Sequence, residues 1–473
     1  MLNSIPRKLS SILVVTVLIS MITQFNCSSA EFANGIKIGE VSETSASVWT
    51  RLTKHPFPLY MEGSYNFYPK KDTPSSPQPW LVPGSEGEVQ LHYWPSSQPD
   101  GIQKTAWTSV DSEKDFTHTF QISKLKPGTT YLLEVKSRIN KGSEISSNTQ
   151  GTFVTAPLAS STAPVTFNVT TCQGFHRRDT PDGHKIYKSM LENSPAFLVH
   201  TGDVLYYDKP QPFATTKALA HYKWNRIYAL PLLKDFHKQV SCYYLKDDHD
   251  VLKNDCWPGQ TYGELTFADG LQVYEDQTTF PEAQPYRTRR WGKNLQIWLM
   301  EGRDFRSSNK TKNPDKRTIW GEEQIQWLKQ SLAESDATFK FVISPTPIVG
   351  PDRTKGKNDN HANASHKVEG DVVRKLISSS PNTYVLCGDR HWQYASVDAA
   401  TGLREFGCGP ASDIHAAGYT LKERTESHRY LKICGGFLSV TVSENAGKAQ
   451  AKLQHHSVDG KVLNTESFTQ TVR

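Results

Sequence analysis

Four apolar runs that each end in a polar cluster are the most informative pattern along the chain. Each run has the length of one buried strand. The clusters contain Cys, Asp and His side chains, which are ligands for hard or borderline cations. Because ligands bind beyond the carboxyl ends of strands in open α/β sheets, we expect these side chains to meet at one sheet edge. The runs are residues 165–171 before Cys172, 196–200 before Asp203, 240–245 before 247–250, and 383–387 before 389–391.

The remaining pattern predicts two kinds of architecture. Residues 46–51 and 131–136 alternate in the strand period, and 125–131 is similar to a fibronectin type III turn, which predicts an N-terminal β-sandwich domain over 31–157. From 158 to 473, strand-like runs alternate with helical faces, which predicts an α/β domain ending in C-terminal strands. The further strands are 295–300, 339–344, 437–442 and a hairpin around Asp459 and Gly460, and the helical faces are Ile186/Met190/Leu191, Ile325/Leu328/Leu332 and Val372/Leu376/Ile377.

Composition and charge add little beyond an expectation of more than one domain. The chain has 473 residues, of which 37% are hydrophobic, and its net charge of +6 is small and scattered. This charge does not favour a nucleic-acid partner. The three arginines within 287–290 are interpreted as part of a solvated loop, and His455 and His456 as surface residues.

Residues 1–30 have the pattern of a secretory signal peptide. Arg7 and Lys8 precede the mostly apolar stretch 12–22, and small residues end the segment at Ala30. The apolar stretch is too short for an ordinary membrane span. We therefore expect export to the periplasm, cell surface or medium, with an uncleaved anchor as the alternative.

The order of the polar clusters resembles the metallophosphoesterases, and within them the PhoD-type alkaline phosphatases. The superfamily pattern is Asp-x-His, Gly-Asp, Gly-Asn-His-Glu/Asp, a lone His, and Gly-His-x-His. Gly202-Asp203 matches the second block, and Cys172 stands where the PhoD type also has Cys in place of Asp-x-His. Residues 300–306 and 321–328 are similar to two secondary motifs of the same family.

This resemblance implies a fold, a reaction and a metal pair. The implied fold is a four-layer α/β/β/α metallophosphoesterase sandwich after a fibronectin-III-like β-sandwich. The implied metals are ferric iron and calcium. Iron would be held by Cys172, Asp203, Tyr206 and His391. Phenolate, thiolate and carboxylate ligands carry the negative charge that suits a trivalent ion.

Two departures from the superfamily pattern concern the second metal. No His occurs near 343–347, and Asp389 replaces the first His of the last block. Asp248 and Asp389 would therefore supply oxygen ligands, which favour calcium, magnesium or manganese over zinc.

Other residues are candidates for catalysis and substrate binding. His249, beside Asp248, is expected to face the leaving oxygen and either donate a proton or stabilise its charge. Asn254, Arg303 and Arg306 are candidate substrate or metal contacts, with a structural ion pair as the alternative for the two arginines.

The predicted function is that of an exported, metal-dependent phosphoric ester hydrolase that uses metal-bound hydroxide at a dinuclear site. Its substrates would be small-molecule or polymer phosphate esters, and monoesters and diesters both remain open. One alternative is a phosphodiesterase with phospholipase D-like activity on lipid or cell-wall diesters. The non-enzymatic alternative is a surface binding protein whose metal is structural.

Overall fold

The structure is a computed structural model that describes residues 29–59, 81–280, 284–353 and 359–471. Residues 1–28, which hold most of the predicted signal peptide, lie outside the described residues. Within the described ranges, no helix combines the length and apolarity needed to cross a membrane.

The helices, numbered in chain order, are α1 (Ile186–Glu192), α2 (Lys217–Tyr228), α3 (Pro231–His237), α4 (Asp248–Val251), α5 (Phe267–Gln277), α6 (Gly321–Glu334) and α7 (Lys367–Ser378). The strands are β1 (Ile36–Gly39), β2 (Ser45–Arg51), β3 (Glu88–Pro95), β4 (Gln103–Lys104), β5 (Thr108–Ser109), β6 (Thr117–Ser123), β7 (Thr130–Arg138), β8 (Ser147–Val154), β9 (Val165–Thr170), β10 (Phe197–His200), β11 (Ser241–Tyr244), β12 (Thr261–Tyr262), β13 (Leu265–Thr266), β14 (Arg287–Trp291), β15 (Leu295–Leu299), β16 (Phe339–Ser344), β17 (Thr383–Cys387), β18 (Gln393–Val397), β19 (Arg404–Cys408), β20 (His428–Lys432), β21 (Phe437–Asn445), β22 (Lys448–His456) and β23 (Val462–Thr471).

Two large sheets form the centre of the molecule. One has nine strands in the order β23-β22-β21-β9-β10-β11-β1-β2-β6, and the other has seven in the order β14-β15-β16-β17-β19-β18-β20. Strands β9, β10 and β11 run parallel to one another, as do β15, β16 and β17. The carboxyl ends of these parallel strands therefore face the same edge of their own sheet.

The sheets pack face to face with helices outside them. Phe167 of β9 and Phe341 of β16 meet between the sheets, with ring centroids 5.9 Å apart. Helices α1, α2, α3 and α5 share a second apolar core with the outer face of the nine-stranded sheet. Helices α6 and α7 share a third core with the seven-stranded sheet. This layering confirms the predicted α/β/β/α fold class.

The N-terminal strands are divided between two sheets. β1, β2 and β6 extend the nine-stranded sheet, whereas β3, β4, β5, β7 and β8 form a separate five-stranded sheet. Tyr131 closes the corner that the sequence predicts, because its hydroxyl accepts a hydrogen bond from the Lys126 backbone N–H at 2.9 Å. The core of this N-terminal sandwich is continuous with the core between the two large sheets.

Three interpretations of the sequence are wrong in detail. The segment 287–290 is part of strand β14, where Arg287 is buried and paired with Glu40. His455 and His456 are buried in β22 rather than exposed. On α7, Leu376 and Ile377 pack on the core as predicted, but Val373 completes that face in place of Val372, which is 53% exposed.

Candidate metal centre

Four strand ends deliver the candidate ligands to one place. Cys172 follows β9, Asp203 follows β10, Asp247 follows β11, and Asp389 and His391 follow β17. We call these five residues the strand-end cluster. Three of them have a left-handed backbone, with φ of 48° at Cys172, 56° at Asp203 and 63° at Asp389. Non-glycine residues adopt this conformation at a cost of order 1 kcal/mol or more, and it tends to occur at functional sites.

Asp250 and Gly202 hold the strand ends in this arrangement. The buried Asp250 carboxylate accepts the backbone N–H groups of Asp203 (2.7 Å), Val204 (2.8 Å) and Asp247 (3.0 Å). Gly202 has φ 105°, and a Cβ there would lie 2.5 Å from the Asp247 Cβ. The loops after β10 and β11 therefore approach so closely that only glycine is tolerated at position 202.

The cluster contains two groups of potential metal ligands that share Asp203. In one, ligand atoms of Cys172, Asp203 and His391 all lie within 4.8 Å of one another, and in the other, those of Asp203, Asp247 and Asp389 do. The first group contains the thiol and an imidazole, whereas the second is entirely carboxylate. The first group contains three of the four residues predicted to hold iron, and the second contains Asp389 but not Asp248 of the predicted oxygen-rich site.

Asp203 is the residue that the two groups share. Its Oδ2 lies 3.5 Å from the Cys172 Sγ and accepts a hydrogen bond from the Tyr206 hydroxyl at 3.1 Å. Its Oδ1 has no hydrogen-bond partner among the described residues, and the same holds for the Asp247 Oδ2. Buried carboxylate oxygens are rarely left without a donor or a cation.

The electrostatics of the cluster also favour cations. Burial, together with the neighbouring Asp248 and Asp247 carboxylates, raises the pKa of Asp203 well above its ordinary value. Burial and the Asp203 carboxylate likewise raise the pKa of the Cys172 thiol. These shifts describe negative groups that repel one another when ionised, and cations relieve that repulsion. The residues present therefore fit bound metal.

Asp247 is the main addition to the ligand set predicted from sequence. Its Oδ1 accepts a hydrogen bond from the Arg303 Nε at 2.6 Å, whereas its Oδ2 has no hydrogen-bond partner among the described residues. Asp248, the predicted ligand, groups instead with Asp203 and His249. The Asp248 Oδ2 also accepts the Asp255 N–H at 2.6 Å. Asp248 thus borders the cluster, and its role as a ligand stays a prediction.

His249 is held by a carboxylate on the loop after β10. Its Nδ1 lies 2.8 Å from the Asp208 Oδ1, and its ring lies 4.3 Å from the Tyr206 ring between centroids. Burial alone would raise the pKa of Asp208, but its hydrogen bond with His249 lowers that pKa below its ordinary value. The other ring nitrogen, Nε2, lies 4.0 Å from the Asp248 Oδ1.

The three predicted substrate residues make different contacts. Arg303 is fully buried and paired with Asp247. Arg306 is also buried, and its Nη1 donates to the Asp359 carbonyl at 2.7 Å. Asn254 is exposed, and its side chain donates to Asp255 at 2.8 Å. The ion-pair alternative therefore describes the contacts of Arg303, and substrate binding by all three residues stays a prediction.

His415 reaches the centre from a loop that no motif marks. Its ring nitrogen Nδ1 lies 2.8 Å from the Cys172 carbonyl oxygen, and its ring is 4.1 Å from that of His391. The hydrogen bond fixes the ring beside the first group of ligands. Only the fold, which returns residues 413–415 to the end of β9, brings this histidine into place.

Comparisons with known proteins identify related phosphatases. A family model described as PhoD-like phosphatase matches residues 167–461. Alkaline phosphatase D of Bacillus subtilis (strain 168) is 24% identical over 469 residues, covering 86% of this chain and 73% of that protein.

Two solved structures share the fold. A structure of PhoD has a TM-score of 0.72 at 19% identity, covering 94% of this chain and 91% of that chain. The purple acid phosphatase PPD1 from yellow lupin (Lupinus luteus) seeds has a TM-score of 0.63 at 11% identity, covering 91% of this chain and 73% of that chain.

Proposed function

The chain belongs to the PhoD-like phosphatase family, and from that premise we propose that it hydrolyses phosphate esters with two metal ions held by the strand-end cluster. Membership makes it a metal-dependent phosphoric ester hydrolase. The observation that carries the dinuclear proposal is the position of Asp203, which is shared by the thiol–imidazole group and the carboxylate group.

The two groups of ligands suit different metals. Cys172, Asp203 and His391, with the Tyr206 hydroxyl beside them, suit ferric iron. Asp203, Asp247 and Asp389 suit calcium, with manganese or magnesium as the nearest substitutes. When bound, such a pair supplies a hydroxide nucleophile near neutral pH and neutralises the phosphoryl oxygens that gain charge in transfer.

The side chains around the cluster support the same reaction. Asp208 orients His249, whose Nε2 can carry a proton to the departing oxygen of the ester. Arg303 neutralises one oxygen of Asp247 and so leaves the other for a cation. The signal-like residues 1–30 support export, so that the substrates would be phosphate esters outside the cytoplasm.

The test is hydrolysis of 4-nitrophenyl phosphate and bis(4-nitrophenyl) phosphate by metal-free protein reconstituted with defined metals. Iron with calcium should restore activity, and zinc should restore it poorly. Asp203→Asn should abolish activity and reduce bound metal, because a neutral amide bridges two cations poorly. Asp100→Asn, at an exposed aspartate, is the matched control. Activity of Asp203→Asn within about tenfold of wild type, with full metal content, would refute the proposal.

A further inference from the structure

Lys223, on α2, inserts its ammonium group into the loop that presents Tyr206 and Asp208 to the metal centre. The residue is 1% exposed. We call the four backbone carbonyl groups that accept hydrogen bonds from its Nζ the carbonyl cage. They belong to Tyr206 (2.5 Å), Tyr207 (3.2 Å), Lys209 (3.2 Å) and Pro210 (2.9 Å).

The carbonyl cage fixes the backbone on both sides of Asp208. An ammonium group has three N–H donors, and here they are shared among four acceptors of a five-residue stretch. Within the described part of the chain, Nζ of Lys223 forms no ion pair with a carboxylate, and burial lowers the pKa of its ammonium group to about 7, so the four carbonyl groups are the partners that hold it. A buried cation is costly without such partners. The carbonyl groups must therefore point inward, which sets the orientation of successive peptide planes.

The same loop carries two groups that act at the centre. The Tyr206 hydroxyl donates to the Asp203 Oδ2 at 3.1 Å, and the Asp208 Oδ1 lies 2.8 Å from the His249 Nδ1. Tyr206 and Asp208 both lie in the backbone stretch 206–210, whose carbonyl groups form the carbonyl cage. We propose that Lys223 is a positioning residue for the phosphatase reaction, which fixes Tyr206 against the metal centre and Asp208 against His249. This inference rests on the proposed roles of Tyr206 and His249.

The neighbouring residue on α2 provides a control for simple packing. The Trp224 Nε1 donates to the Tyr207 Oη at 2.8 Å, and Trp224 is fully buried. Trp224→Phe therefore weakens contact between the same helix and the same loop but leaves every carbonyl of the cage with its donor. If α2 only supports the fold, Trp224→Phe and substitutions of Lys223 should have similar effects.

The experiment compares Lys223→Met, Lys223→Gln, Lys223→Arg and Trp224→Phe in the full-length protein. Lys223→Met should lower kcat by about 10²-fold, the effect of misplacing catalytic groups by about an ångström, with little change in KM. Lys223→Gln and Lys223→Arg, which keep N–H donors, should recover part of kcat. In the iron-loaded protein, Lys223→Met should also shift the visible absorption that Tyr206 gives as a ligand. Trp224→Phe should lower the melting temperature without these changes.

Hydrogen exchange of the metal-free proteins gives a readout that does not depend on the proposed function. Amides of residues 206–214 should exchange faster in Lys223→Met than in wild type, with little change elsewhere. If Asp203→Asn retains activity, the proposed function fails while this local measurement still tests the carbonyl cage. Equal kcat in Lys223→Met and wild type would overturn the inference. So would failure of all three Lys223 variants to fold, because that would make Lys223 a residue of global stability.

Discussion

Asp208 and His249 form the carboxylate–imidazole pair on which turnover should depend most directly. His249→Ala should keep both metals but slow turnover by roughly 10²–10⁴, the usual contribution of acid–base catalysis. Asp208→Asn should slow turnover by a smaller factor, because the imidazole remains but loses the group that orients it. Measuring kcat beside the metal content of each variant tests both expectations.

Asp182→Asn is the control for the Asp208 substitution, because Asp182 is an exposed aspartate on the protein surface. Loss of metal from His249→Ala would show that the imidazole is a ligand, and the role proposed for it would then be wrong. An Asp208→Asn enzyme as active as the control would remove Asp208 from the mechanism.

Tyr206 should be detectable by colour if it binds iron. In the structure, burial and the Asp203 carboxylate hold the pKa of Tyr206 well above its ordinary value, so the phenolate forms only if a cation compensates. The iron-loaded protein should then absorb visible light by charge transfer from phenolate to ferric iron. Tyr206→Phe should shift or weaken that band, with a residual band from Cys172 permitted. An unchanged spectrum at full iron loading would exclude Tyr206 as a ligand.

The residues predictable from sequence are those that directly follow a strand. Cys172, Asp203 and His391 meet as expected because the strand ends alone bring them together. Asp247 was not predicted as a ligand, because the turn into α4 decides which of two adjacent carboxylates enters the oxygen-rich group. The position of His415 depends on a chain segment that returns to the end of β9, 243 residues after Cys172. No local sequence pattern predicts that contact.

At the scale of whole elements, α7 stabilises the start of α6 through Glu369. The Glu369 carboxylate accepts hydrogen bonds from the backbone N–H groups of residues 319–321 and from the Thr318 hydroxyl. These groups lie at the N-terminus of α6, where N–H donors lack partners within the helix. Glu369→Gln should lower the free energy of unfolding at neutral pH by about 2 kcal/mol, as for hydrogen bonds to a charged acceptor.

The effect of Glu369 should depend on pH. Burial alone would raise the pKa of Glu369, but hydrogen bonds from His361 and from the start of α6 lower it to about 2, against an ordinary value of 4.5. The stabilisation is therefore complete above pH 4.5 and is lost as the pH falls through about 2. Denaturation of wild type and Glu369→Gln across this range should give converging stabilities, and Glu144→Gln, at an exposed glutamate outside any helix, should match wild type throughout. A constant difference would contradict the capping role.

The predictable elements are those whose apolar pattern is uninterrupted. β16 and β17 begin and end at the residues that the sequence predicts. β14 was missed because three of its five residues are arginines, which are atypical of a strand. Arg287 is tolerated there because it pairs with Glu40, a residue distant in the sequence. Helix α2 shows no clear apolar face, because Lys223 and Trp224 both turn inward. Buried polar groups with distant partners therefore limit what a local pattern predicts.

In the molecule as a whole, the N-terminal strands are part of the architecture that carries the strand-end cluster. Gly39 of β1 pairs with Cys242 of β11, and the Trp49 Nε1 donates to the Asp276 carbonyl at 2.7 Å. Glu40 of the same segment pairs with the buried Arg287. The sequence predicts a division into 31–157 and 158–473 because composition changes at the linker, but composition carries no information about strand pairing across that linker.

We therefore expect that residues 158–473 alone do not form a stable phosphatase. Removing residues 1–157 would expose the edge of β11, uncover the continuous core and leave Arg287 buried without its carboxylate partner. Unpaired strand edges favour aggregation, and an unpaired buried charge is strongly destabilising. The fragment should be aggregated by gel filtration or should melt well below a control chain that lacks only residues 1–30. A monomeric 158–473 fragment that melts with the control and binds the same metals would show that the two parts are independent domains.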